Sequence, residues 1–201
     1  MRVKGFKPQE WLIDNLHQAS TLADKNERPY ADSSISVEEV EISDLRPTQY
    51  YAIGSGVENQ WWLRRAILEA GEDTLRMENG GITIIDEKKG SGVMLPPIVE
   101  EYEHEGLLLV DGMHRTTLAS CLDMKTILAV VVRDINPKFA VLQRQLLNEW
   151  SEVVMFPTLE ALKCARQNGF VHRRKGYAPK KKNVAYRDFS SFTGRGKDER
   201  K

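Results

Sequence analysis

The stretch LLLVDGMHRTTLASCLDMKTILAVVV (107–132) constrains this chain more than any other. Four apolar residues, Leu107 to Val110, stop at Asp111-Gly112. Leu118, Cys121 and Leu122 then recur at helical spacing over 116–124. Ile127 to Val132 follow as a β-branched apolar run. Runs this uniformly apolar suit strands buried on both faces. The pattern predicts a strand–helix–strand unit whose helix begins near His114. Its first turn lies at the carboxyl end of a strand, where α/β sheets bind ligands.

The residue types at that turn suit an anion. Gly112 permits a sharp bend and close backbone approach. The amides of Met113, His114, Arg115 and Thr116 are those that a helix start leaves without helical partners, at the positive end of the dipole. The Arg115 guanidinium matches phosphate geometry, and His114 is a proton-dependent donor. Thr116 and Thr117 add hydroxyls. Asp111 has three roles open to it: capping the helix, binding a metal, or acting as a base. The plainer alternative makes Asp111 only a cap, with His114 and Arg115 on the surface.

The remaining pattern predicts a helix over 7–25, a strand over 35–45, and a loop over 48–60 whose Gly54-Ser55-Gly56 reads either as a phosphate-wrapping turn or, more simply, as loop. A helix over 61–77, a short strand over 82–85 and a hairpin over 98–110 follow, then helices over about 137–150 and 158–168. Glu100, Glu101, Glu103 and Glu105 cluster in the hairpin. They read either as Mg²⁺ ligands, with Glu101 joining Asp111, or as a solvated face. His104, at the hairpin tip, reads as surface. Trp61-Trp62 reads as a base-stacking platform or as a pair that puts one ring in the core.

Net charge is zero but unevenly spread. Residues 172–201 hold eleven Lys/Arg against three Asp/Glu, so the rest of the chain is acidic. In that tail Arg173, Arg174, Lys175, Lys180, Lys181 and Lys182 are interleaved with Tyr177, Tyr186, Phe189 and Phe192. The combination suits nucleic acid through phosphate neutralisation and stacking. It also suits docking on the acidic body or on a protein partner, or disorder. The two cysteines, Cys121 and Cys164, read as reduced, mostly buried side chains. No apolar run is long enough for a membrane helix, and the first residues lack a signal-peptide pattern. The expectation is a cytoplasmic protein without membrane contact.

VDGMHRTTLA resembles the D-G-x-H-R motif of the ParB/sulfiredoxin superfamily, and the frame over roughly 36–134 is similar. The resemblance implies an α+β or α/β fold with a small mixed sheet. It divides the chain into an N-terminal helical extension (1–34), a core (35–135), a helical extension (136–170) and a basic tail (171–201). Superfamily members include CTP-hydrolysing partition proteins, ATP-using sulfiredoxins, free-serine kinases and DNA-modification proteins. All hold phosphate at this turn. The resemblance therefore implies phosphate contacts by Gly112, His114 and Arg115. Sulfiredoxins carry a reactive cysteine where Met113 stands, which argues against their chemistry. Residues 137–168 show no clear helix-turn-helix signature of partition proteins. In the kinase branch the motif Asp and an earlier strand Glu act together, which implies Asp111 with Glu41, or with Glu38 or Glu39.

Three functions fit. One is a nucleoside-triphosphate- and Mg²⁺-dependent enzyme, a kinase or NTPase. Another is a nucleic-acid-binding or DNA-processing protein. The last is a non-catalytic subunit of an assembly.

Overall fold

The computed structural model describes residues 2–22, 24–86, 90–139, 150–168 and 187–189. The chain begins with β1 (Arg2–Lys7), α1 (Gln9–His17) and β2 (Ser20–Thr21), followed by β3 (Ser34–Glu41), β4 (Leu45–Pro47) and β5 (Tyr51–Ile53). Next come α2 (Gly54–Leu68), β6 (Gly81–Asp86), β7 (Gly90–Met94), β8 (Ile98–Tyr102) and β9 (Gly106–Asp111). The remaining elements are α3 (Met113–Cys121), β10 (Thr126–Arg133), β11 (Val154–Phe156), α4 (Leu159–Gln167) and β12 (Arg187–Asp188). This is an α+β fold with a mixed central sheet, as the sequence implied.

That sheet has the strand order β3-β10-β8-β9-β4. β10 runs antiparallel to β3 and parallel to β8, while β8 and β9 form the expected hairpin. The apolar runs lie where burial on both faces requires them. Ile98, Val130 and Val132 join Leu12, Leu16 and Tyr30 in one cluster. Val99, Leu109, Ala129 and Val131 join Leu118 and Ala119 of α3 in the other. A second sheet, β1-β6-β7, is antiparallel, and Leu63 and Ile67 of α2 pack with Ile82 of its central strand. Among the described residues no helix is long and apolar enough to cross a membrane.

Several local expectations change. The expected helix over 7–25 is a strand, a nine-residue helix and a second short strand. Leu12 and Leu16, spaced i and i+4, supply its only two buried helical positions. Gly54-Ser55-Gly56 is the first turn of α2 rather than a loop, and the helix ends at Leu68 rather than near 77. Its buried stripe at Leu63 and Ile67 leaves Trp61 41% and Trp62 54% exposed, so neither ring packs in the core. Both cysteines are exposed, and Cys121 is the last residue of α3. The strand after α3 also runs antiparallel to β9, because β8 lies between them antiparallel to one and parallel to the other. The segment 107–132 is therefore not a parallel crossover. The first turn of α3 nevertheless stands at the carboxyl end of β9. The expected helix over 137–150 falls mostly on residues outside those described.

Candidate functional site

The turn owes its shape to one glycine. Gly112 is the N-cap of α3 with φ 94° and ψ 15°, in the left-handed region. A side chain there would also approach Pro97, with Cβ 2.8 Å from Pro97 Cβ and 2.9 Å from its Cα. The N-cap is therefore Gly112 and not Asp111, and no side chain caps the helix. Asp111 closes β9 opposite Ile98, and its side chain is 44% exposed.

Arg115 points inward. Its side chain is 7% exposed, donates to the Leu95 carbonyl and stands 3.6 Å from the Asp111 carboxylate. With Gly112 packed on Pro97, the motif fastens the Leu95–Pro97 segment that leads into β8. The threonine hydroxyls turn back into their own helix, from Thr116 Oγ1 to the Gly112 carbonyl at 3.2 Å and from Thr117 Oγ1 to the Met113 carbonyl at 2.8 Å. Both threonines are buried. Met113 packs partly into the core beneath.

His114 makes a contact that sequence reasoning missed. The Ile53 amide, at the N-cap of α2, donates to His114 Nε2 at 3.2 Å. That bond requires a lone pair on Nε2, hence a ring without a proton there. A Cβ on Gly56 would lie 2.7 Å from Nε2 and 2.8 Å from Cδ2 and Cε1. The ring therefore lies against the first turn of α2, and only glycine leaves it room. The first turns of two helices meet at His114, bringing two positive dipole ends together. On the α2 side, the Ser55 amide already donates to the Pro157 carbonyl at 3.0 Å. The only sequence signal of this contact was the Gly-Ser-Gly stretch.

The carboxylates do not assemble with Asp111. Register places Asp111 level with Val37 of β3, across β8 and β10, and Glu41 lies further along β3. Three strand spacings and four residues put Glu41 about 20 Å from Asp111. Glu41 is exposed there, beside Thr126 on β10. Glu38 is tied to Arg133 and Ser36, which hold its carboxyl at about 2. Glu39 accepts from Thr126 and Arg76. Glu101 pairs with Arg133 and lies about 11 Å from Asp111 by strand geometry. Glu103 and His104 are exposed at the hairpin turn. Among the described residues no three His, Cys, Asp or Glu side chains could hold a metal ion together. The protein residues thus do not fit the expected Asp111–Glu101 Mg²⁺ site.

Glu100, from the same acidic run, is fully buried. It accepts from Tyr30 Oη at 2.5 Å, Tyr102 Oη at 2.5 Å and Arg187 Nε at 2.7 Å. Burial, and then the Glu100 charge, push the Tyr30 phenol well above its usual range. Arg173, Arg174, Lys175, Lys180, Lys181 and Lys182 lie outside the described residues.

Residues 11–154 match the ParB CE domain family. The chain belongs to that family. The ParB-like resemblance carried by Asp111-Gly112-Met113-His114-Arg115 is therefore met at the level of the superfamily. Among solved structures, protein Atu1540 from Agrobacterium tumefaciens is similar at 15% identity and a TM-score of 0.32. The match covers 74% of this ParB CE chain and 59% of that protein, so the chain spans little more than half of it. No curated protein matches the chain.

Proposed function

We propose that this ParB-family protein binds the phosphate of a nucleotide-type ligand where the first turns of α2 and α3 meet. The contact of His114 with Ile53 and Gly56 supports this reading most directly. Two helix starts side by side add their partial positive charges at one spot, which favours an anion. In the proposed complex the backbone of Gly112 to Arg115 faces the phosphate, and His114 borders it. Arg115 acts from beneath by fixing the turn, in place of the direct contact that the motif resemblance implies. Thr116 and Thr117 act in the same indirect way through the helix backbone.

Asp111, half-exposed at the rim, is the group placed to accept a proton from a nucleophile or to meet a nucleotide-borne cation. With Glu41 about 20 Å away by strand geometry, the two-carboxylate arrangement of the kinase reading has no support. The proposed role is therefore ligand binding, without the carboxylate pair of kinase-type phosphoryl transfer.

Thermal unfolding with ATP, CTP, GTP and inorganic phosphate tests it. A ligand at 100 times its Kd adds about 2.7 kcal/mol to stability. A rise in midpoint with at least one nucleotide, lost in His114→Ala, is the expected outcome. No rise with any of the four removes the reading.

A further inference from the structure

Three consecutive residues from the basic C-terminal region sit in the body of the protein, held by strand pairing, ion pairs and ring stacking. Arg187 and Asp188 form β12, antiparallel to β2 at Ser20 and Thr21. The Arg187 side chain is 1% exposed, donates to Glu100 and to the Phe139 carbonyl at 2.9 Å, and lies 5.3 Å above the Tyr30 ring. Asp188 pairs with Lys25. Phe189 is buried, and its ring stacks on Tyr30 with centroids 6.5 Å apart. Backbone strand addition, a buried charge pair and an aromatic anchor are the elements from which peptide-recognition sites are built.

The receiving surface has its own supports. Thr21 donates its amide to the Glu27 carbonyl at 3.0 Å, and its hydroxyl accepts from the Asp24 amide at 3.0 Å. These bonds shape the β2 turn without the tail. Glu100 takes two of its hydrogen bonds from Tyr30 and Tyr102, both on the body, and is left with room for one guanidinium. The planar Arg187 guanidinium reaches Glu100 through Nε and the Phe139 carbonyl through Nη2.

We propose that the body of this protein carries a recognition site for an Arg-Asp-Phe peptide, and that its own residues 187–189 fill that site as a tethered ligand. The site reads arginine through Glu100, the aromatic residue through Tyr30 and the backbone through β2. It is separate from the proposed phosphate site, and neither depends on the other.

The test keeps the whole chain. A specific protease site is introduced between residues 169 and 186, and the folded protein is cut there. The freed tail should remain bound through gel filtration. A synthetic peptide of residues 183–193, NVAYRDFSSFT, should then displace it. The same peptide with Arg187→Ala should compete at least about 100-fold less well, as removal of one partner of a buried pair implies. Nicked Glu100→Gln protein, its fold checked by circular dichroism, should lose the fragment. Displacement by both peptides alike would overturn the proposal. So would a fragment that leaves only when the protein unfolds, since 187–189 would then be part of the fold and not a ligand. A mass of two chains held together by this segment would show a second copy's tail as the occupant and overturn the tethered reading.

Discussion

Replacing Gly112 with Ala separates what the motif glycine does for the fold from what it does for a ligand. At φ 94° a side chain meets the steric penalty of the left-handed region, roughly 1–2 kcal/mol. The added Cβ also falls 2.8–2.9 Å from Pro97, against ring and backbone atoms that cannot rotate away. Overpacking of that kind costs about 1–3 kcal/mol. The expected loss is therefore about 2–5 kcal/mol. With a urea slope of about 2–3 kcal/mol/M, the midpoint should fall by about 1–2 M. Gly71→Ala is the matched control. Its φ is 87° but nothing lies within 4 Å of the added Cβ, so it carries the strain without the clash. Chemical unfolding of both variants decides the matter. If Gly112→Ala loses no more than Gly71→Ala, the tight packing on Pro97 is wrong, and with it the idea that this glycine shapes the turn by close approach.

Other outcomes follow from the same geometry. Arg115→Met should lower stability by about 1–3 kcal/mol by leaving the buried Leu95 carbonyl unsatisfied, measured by urea unfolding; an unchanged midpoint refutes that inward role. Glu38 is held at about 2, below the ordinary carboxylate range, so its pairing with Arg133 stabilises the fold above about pH 4.5 and is lost as pH falls towards 2. Both side chains are a little over a third exposed, 36% and 37%, so solvent screens the pair and Glu38→Gln should flatten that acid limb by about 1 kcal/mol; an unaltered pH–stability curve between 5 and 2 contradicts it. Trp61→Ser and Trp62→Ser should each cost well below the roughly 3–5 kcal/mol of a core tryptophan, because the side chains are 41% and 54% exposed; a loss in that core range would place the ring in a packed environment.

How much of this was legible depended on what each signal encodes. Ile127 to Val132 and Leu107 to Val110 announced buried strands because β-branched and uniformly apolar runs have few other uses. They carried no information on direction, and β10 lies antiparallel to β9 because the hairpin strand β8 is inserted between them. Gly54-Ser55-Gly56 looked like a loop because two glycines disfavour a helix, yet contact with the His114 ring demands one of them. Asp-Gly-Met-His-Arg marks a strand-to-helix junction, and β9 does hand over to α3 there. The direction of each side chain is a tertiary matter, and no local pattern says that Arg115 faces Leu95. Glu100 shares a strand face with Ile98 and Tyr102, and Arg187 precedes Phe189 by two residues, yet the two are 87 residues apart in sequence. Their pairing is a purely tertiary fact.

An anion drawn to the junction of two helix starts must perturb both turns at once. Titrating ¹⁵N-labelled protein with ATP, and separately with inorganic phosphate, reads it amide by amide. The largest shift changes should fall together on Gly112 to Arg115 and Gly54 to Gly56, and diminish in His114→Ala. Changes confined to other surfaces, or none at these two turns at saturating ligand, would mean that no anion site exists at the α2–α3 junction.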